Sequence, residues 1–242
     1  MYIGGIMIML DKIRKKRKDI REYGFSEVAK RAIIKLFGGN IYVERFLLYR
    51  NPRGYWEKRG GERYFKEQES AQNRSARSTF IAENLVKLKA KRILEVGCGY
   101  GKQLRSIRRL DTRVELFGVD FSSSQIIKGR EYLKKDGIKN IVCADAKDLP
   151  FLDNSFDLVF TSAVILHHPS DTAEKIRNEL LRVSRRYIAH NEDKGIASTR
   201  WSYDYNEIYN QMGLKVLEYC RIPCSPSPEI TQFVVVEIPE EN

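Results

Sequence analysis

Read for the spacing of its apolar residues, the chain begins as helix and continues as alternating strand and helix. From about Leu10 to Phe37, Val28, Ala32 and Leu36, with Ile33 and Phe37 beside them, recur at helical spacing, and Arg21, Lys30, Arg31 and Lys35 take the other faces. Gly38-Gly39-Asn40 stops this element, Ile41 to Tyr49 resumes it, and Asn51-Pro52 breaks the chain again. Gly54 to Phe65 reads as an aromatic and charged loop, whose rings either cover a bound molecule or anchor packing. Phe80, Ile81, Asn84, Leu85 and Leu88 predict a helix from Gln72 to Ala90.

Beyond Lys91 the pattern changes. Arg92 to Val96 reads as a buried strand, Lys102 to Leu110 as a helix, and Val114 to Val119 as a second strand ending in Asp120, with a helix from near Ser122. Phe156 to Thr161 reads as the fourth strand, Asp171 to Ser184 as a helix and Arg186 to His190 as the fifth strand. Asn191 to Tyr203 is a loop suited to a lid or substrate wall, and Asp204 to Met212 a short helix. Gly213 to Tyr219 forms the sixth strand, Ile222 to Glu229 a proline-rich connection, and Thr231 to Ile238 an alternating, β-branched last strand. This succession predicts an α/β fold behind a basic, largely helical N-terminal extension, with the boundary between 71 and 72.

Composition narrows the class. A chain of 242 residues has room for one large α/β domain and an appendage, and 42% hydrophobic with 31% charged residues describes a soluble globular protein. The formal charge of +11 attracts something anionic: nucleic acid, a lipid surface or an acidic small molecule. The basic helix over residues 10–50 can lie on an anionic membrane surface, pack on the main domain, or meet RNA phosphates. Four cysteines without dense spacing fit a reducing cytoplasm, and Cys220 and Cys224 lack a second pair of ligands, so no metal is expected. Met1 to Leu10 is too short to cross a bilayer, and its basic residues follow instead of preceding it, so no export is expected. A cytoplasmic protein, peripheral at the membrane in one alternative, is the resulting expectation.

The chemistry centres on Gly97-Cys98-Gly99-Tyr100-Gly101, a glycine loop between strand and helix where backbone can approach a nucleoside-type ligand closely. Asp120, about twenty residues on, stands where a carboxylate accepts from both ribose hydroxyls, or alternatively caps the helix near Ser122. Lys102 occupies the place of the third glycine of a dinucleotide fingerprint, which argues against a pyrophosphate.

Glu95-Val96-Gly97-Cys98-Gly99-Tyr100-Gly101, Gly118-Val119-Asp120-Phe121-Ser122, Ala144-Asp145-Ala146-Lys147-Asp148-Leu149-Pro150-Phe151 and Asn154-Ser155-Phe156-Asp157-Leu158-Val159-Phe160 follow one another. In that order they resemble the successive motifs of class I S-adenosylmethionine-dependent methyltransferases, over roughly Gln72 to Ile238. The resemblance implies a Rossmann-like three-layer sandwich with a mostly parallel seven-stranded sheet over 72–242, and S-adenosyl-L-methionine as cofactor. It implies that Gly97, Cys98, Gly99 and Gly101 wrap the methionine part, supported by Glu95. Asp120 then holds the ribose, Phe121 packs on the adenine, Asp145 accepts from the adenine amino group, and the Ala146 amide meets a ring nitrogen. The exit of the fourth strand, from Ser162 to Pro169, borders the methyl group. His167 and His168 are general-base candidates there, with bonding to a nearby carbonyl as the alternative, and His190 is a second candidate.

The acceptor implied is a small molecule, a lipid or a lipid-linked group. Two alternatives stand beside it: an RNA methyltransferase using the basic region, and a cofactor-binding protein without catalysis. Thr161-Ser162-Ala163-Val164 stands where amino-directed nucleic-acid enzymes of the family carry Asn/Asp-Pro-Pro-aromatic, which disfavours that chemistry.

Overall fold

The computed structural model describes residues 25–36, 38–49, 51–70, 72–197, 199–225 and 228–239. The helix expected over residues 10–24, with Arg21, and the apolar Phe37 lie outside them. The chain divides into two compact units, one ending at Asn51 and the other running Pro52–Asn242. In the first, α1 (Phe25–Leu36) closes through the Gly38 and Gly39 amides on the Lys35 and Ile34 carbonyls. The Asn40 side chain then starts α2 (Ile41–Leu48) by accepting from the Tyr42 amide at 2.9 Å.

The second unit opens with a correction. Gly54 to Phe65 is not a loop but the middle of a helical hairpin, α3 (Pro52–Arg59) and α4 (Glu62–Glu69). Pro52, which looked like a breaker, sits at the first helical position, where its missing N–H costs nothing. The reversal is confined to Gly60-Gly61, with Gly61 at φ 93°. The compact unit that holds the sheet begins ahead of this hairpin, at Pro52.

After α5 (Gln72–Val86) the chain alternates: β1 (Arg92–Val96), α6 (Lys102–Leu110), β2 (Glu115–Asp120), α7 (Ser123–Leu133), β3 (Asn140–Cys143), β4 (Phe156–Ser162), α8 (Ser170–Val183), β5 (Ser184–Asp193), α9 (Tyr205–Gln211), β6 (Lys215–Cys220) and β7 (Thr231–Glu237). Among the described residues these strands form one seven-stranded sheet, ordered β3-β2-β1-β4-β5-β7-β6. Strands β1 to β5 are parallel, and β7 runs antiparallel to both β5 and β6.

Burial on both faces explains the continuous apolar runs of the central strands. Ile93 and Leu158 join Leu85, Leu104 and Leu133 from α5, α6 and α7 on one face. Leu94 and Val159 join Ile176 and Leu180 of α8 and Tyr205 and Tyr209 of α9 on the other. The result is the three-layer α/β sandwich expected. Strand order reverses between β1 and β4, and at such a switch point the loops leaving the two carboxyl ends part and open a crevice.

Candidate active site

The crevice is built from β1 outward. Gly97 leaves the strand at φ 74°, and a Cβ there would lie 2.3 Å from Val164 Cγ2. Glycine is thus required twice, for the left-handed turn and for close approach of the chain leaving β4. Gly101 has a different neighbour: its missing Cβ makes room for Leu133 of α7, and it is not among the cavity-lining residues.

Asp120, at the end of β2, accepts from the Gly99 amide through Oδ2 and from the Ser122 amide through Oδ1, both at 2.9 Å. Its carboxylate therefore fixes the glycine loop, while the cap of α7 is Ser122, whose hydroxyl accepts from the Gln125 amide. Burial raises the Asp120 pKa, and the two amides oppose that rise. Asp145 forms a local turn, its Oδ1 accepting from the Lys147 amide at 3.0 Å.

These residues surround a cavity of about 450 Å³ at the carboxyl edge of the sheet, a volume within the usual range for small-ligand pockets. Glu95, Gly97, Cys98, Gly99, Asp120, Phe121, Asp145, Ala146, Ser162, His167 and His168 all line it. Three buried acceptors on this lining have no hydrogen-bond partner: Glu95 Oε2, Gln103 Oε1 and Gln125 Oε1. Unpaired buried acceptors are costly, so the wall suits a ligand rich in N–H and O–H donors. S-Adenosylmethionine, with an ammonium group and two ribose hydroxyls, fits. Burial also pushes the Glu95 carboxyl well up from its ordinary value, and an ammonium partner reverses such a shift.

The hairpin α3–α4 forms the opposite wall. Gly60 packs against the start of α7, where a Cβ would come 2.7 Å from Ser124 Oγ. The Arg53 guanidinium lies 5.9 Å over the Phe121 ring. Trp56 meets His167 edge-on with centroids 4.8 Å apart, and Tyr55 and Tyr64 pack edge-on against Trp56.

The histidines separate clearly. His167 Nδ1 lies 2.6 Å from the Thr199 carbonyl. A carbonyl only accepts, so Nδ1 carries the proton and Nε2 the lone pair. Burial lowers its pKa to about 4, which keeps the ring neutral at pH 7. His168 also lines the cavity, with its pKa lowered by burial and partly restored by Asp145. His190, expected as a further base, is a core residue instead: fully buried, and bonded to Thr161 Oγ1 at 2.8 Å and Tyr209 OH at 2.7 Å. It faces α9, because alternation along β5 turns it away from the cavity, which Asn191 lines.

Sequence reasoning missed two groups. Arg77 of α5 donates to Asn191 Oδ1 at 2.8 Å and Asp193 Oδ1 at 3.0 Å, while Asn191 donates to Ser162 Oγ at 2.6 Å. Glu192, buried beneath the wall, accepts from the Val164 amide at 3.0 Å. Nothing in local spacing marks either; the pairing of β4 with β5 brings Asn191 and Glu192 to the site, and α5 brings Arg77 to them. Of the loop expected from Asn191 to Tyr203, the first three residues extend β5, and Thr199 and Arg200 line the cavity. Among the described residues no cluster of His, Cys, Asp and Glu could hold a metal, and no helix is long and apolar enough to cross a membrane.

Comparison with known proteins bears on the fold and the domain. Residues 93–186 match the family model described as a methyltransferase domain. The chain is 32% identical over 107 residues to 24-methylenesterol C-methyltransferase 2 of Arabidopsis thaliana, covering 43% of this chain and 29% of that protein. It is 34% identical over 101 residues to a malonyl-(acyl-carrier protein) O-methyltransferase of Legionella pneumophila, covering 40% of this chain and 34% of that one. The matches thus span only about a third of these relatives' length. The structure of magnesium protoporphyrin IX methyltransferase from Synechocystis PCC 6803 shares the fold, with a TM-score of 0.59 at 13% identity over 81% of this chain and 97% of that one. Residues 93–186 thus carry a methyltransferase domain, in the sheet order and with the glycine loop of the class I S-adenosylmethionine-dependent fold.

Proposed function

We propose that the protein transfers the methyl group of S-adenosylmethionine to a small-molecule or lipid-type acceptor held under the α3–α4 hairpin. The observation carrying this reading is the continuity of one cavity, in which the donor-hungry wall of Glu95, Gln103 and Gln125 meets the aromatic and histidine wall of Trp56, Tyr64 and His167. The named relatives that act on sterols and on a malonyl-acyl carrier support the acceptor class.

When bound, the cofactor supplies a methyl carbon already activated by its sulfonium, so alignment of an acceptor is the protein's main task. In this reading Glu95 takes the ammonium, Asp120 the ribose hydroxyls and Asp145 the adenine amino group. The Ala146 amide meets a ring nitrogen, and Phe121 packs on the base. Gly97, Cys98 and Gly99 supply backbone around the methionine part, and Ser162, held by Asn191, borders the transfer site. His167, neutral with its lone pair on Nε2, accepts a proton from an acceptor hydroxyl or amine, and His168 stands as its alternate. The basic residues over 10–50 bring the enzyme to an anionic membrane surface from which a lipid-type acceptor is drawn.

Incubation with methyl-labelled cofactor and separate lipid, small-metabolite and RNA fractions tests the acceptor class. Label entering the lipid or metabolite fraction is expected, and label confined to RNA refutes it. Co-sedimentation with anionic vesicles, lost in 0.5 M salt at about the Debye screening expected, tests the membrane step.

A further inference from the structure

Glu192 is fully buried, yet the proposed chemistry gives it no task. Its Oε1 accepts from Thr161 Oγ1 at 2.9 Å and from the Val164 and Ile165 amides at 3.0 and 3.2 Å. Its Oε2 accepts from the Val164 amide at 3.2 Å and the Leu166 amide at 3.3 Å. One carboxylate thus satisfies three successive amides at the start of the single 3₁₀ turn Ile165–His167. That turn is entered through Ala163 at φ 55°, a left-handed conformation that L-residues avoid. Val164, which follows, is the side chain seated on Gly97, and Ala163, Val164 and His167 all line the cavity.

The groups facing Glu192 from the surrounding elements form a wired interior. A hydroxyl has one hydrogen; if Thr161 donates it to Glu192, then His190 Nδ1 must donate to Thr161, and His190 Nε2 must accept from Tyr209 OH. Tyr205 stacks on His190 at 4.3 Å, and Gln232 of β7 lies opposite Glu192 in register. Arg177 of α8 acts electrostatically on His190, Tyr205 and Tyr209. Asp193, beside Glu192 on β5, is engaged by Arg77, and His167 and His168 belong to the turn itself and its exit.

We infer that Glu192 is a positioning residue for methyl transfer: its ionised carboxylate holds Ala163 to Leu166 in the strained turn that seats Val164 on the cofactor loop, and its protonation releases them. As part of the transfer machinery this rests on the methyltransferase reading above; the hold on the turn does not. A protonated carboxyl has fewer acceptor sites for the three amides and must place its own hydrogen, which reverses the Thr161–His190–Tyr209 order. Burial pushes Glu192 up to about 7, so the exchange falls in the physiological range. His167 at about 4 and His190 at about 3 titrate below it, and His168 is shifted down as well.

Two measurements test this, one without ligand. In ligand-free protein labelled with ¹⁵N at Val, Ile and Leu, the Val164, Ile165 and Leu166 amides are expected to shift together with a midpoint at about 7, and to be invariant in Glu192→Gln. Thr161→Val removes a donor to the charged form and moves the midpoint upward, which supplies the test should the Gln variant fail to fold. Calorimetry with S-adenosylhomocysteine is expected to show about a tenfold loss of affinity from pH 8.5 to 5.5 (~1.4 kcal/mol) in the native protein. Glu192→Gln should bind at the weak level throughout. Amides that do not titrate, a midpoint unmoved by Thr161→Val, or a Gln variant with the native pH dependence each overturns the proposal. Titrating amides in a protein that binds no S-adenosylhomocysteine at any pH support the hold on the turn and remove the methyltransferase reading instead.

Discussion

Replacing Gly97 by alanine perturbs the site at the contact between the two chain segments that leave the switch point. The backbone at φ 74° penalises any L-residue by about 1–2 kcal/mol. The new methyl would lie 2.3 Å from Val164 Cγ2 and 2.9 Å from Cγ1, so either loop must move, at the ~1–3 kcal/mol typical of overpacking. The sum, ~2–5 kcal/mol, is a large share of the ~5–15 kcal/mol that stabilises an ordinary domain. Urea denaturation reads it as a lower midpoint at unchanged slope, and calorimetry with S-adenosylhomocysteine reads the displaced loop as weaker binding. A double-mutant cycle separates the two costs. Trimming Val164 to alanine in the Gly97→Ala background should recover the steric part and leave the backbone part, a favourable coupling of about 1–3 kcal/mol. Strictly additive effects, or a Gly97→Ala protein of native stability and affinity, would show that Val164 does not rest on this loop.

Asp120→Ala strips the acceptor from the Gly99 and Ser122 amides as well as the proposed ribose contact; S-adenosylhomocysteine should bind at least about tenfold more weakly and stability should fall by ~1–3 kcal/mol, so native affinity by calorimetry contradicts the assignment. His167 and His190 are depressed by burial from 6.5 to about 4 and about 3. Their contribution to stability is therefore complete above pH 6.5 and lost as pH falls through those lower values, visible as a declining urea midpoint. Glu192 is raised from 4.5 to about 7 and has the opposite sign: its contribution is complete below pH 4.5 and lost as pH rises through 7. The acid-side decline should accordingly be steeper in Glu192→Gln, and an unchanged slope counts against the burial of its charge. Arg182→Met removes donors from Glu179, Asp153 and the Phe151 and Leu149 carbonyls that brace the chain ahead of β4, and a loss of about 1–3 kcal/mol is expected by urea titration.

The central sheet and the glycine-loop side of the cavity were readable because their signals are local. A buried strand announces itself by its apolar run, and a loop that must turn left-handed and approach a ligand announces itself by Gly97 and Gly99. What failed locally was punctuation: Pro52 and Gly60-Gly61 have the same letters whether they break helices or begin and join them, and the choice is made by packing of Gly60 on Ser124. His190 and Glu192 failed for another reason. In the sequence they sit in a polar run, His-Asn-Glu-Asp, that resembles a solvated strand end. Their burial is created by α9, which covers one face of β5, and by β7, which pairs along its edge, leaving Asn191 and Asp193 to line the cavity.

Strand β7, the last of the sheet in chain order, is not the last in space: it lies between β5 and β6 and pairs with both. A nascent chain emerged only as far as Ile230 already contains every residue that lines the cavity, yet β5 has a bare edge and β6 has no sheet to join. Val234 and Gln232, which face His190 and Glu192 across the ladder, have not arrived. Until they do, the interior beneath the Ala163–Leu166 turn is open to water, where a carboxylate is well solvated and has little need of the Val164, Ile165 and Leu166 amides. Completion of the sheet then waits for β7, and a chain halted at Ile230 exposes a strand edge, open to misassembly with its neighbours.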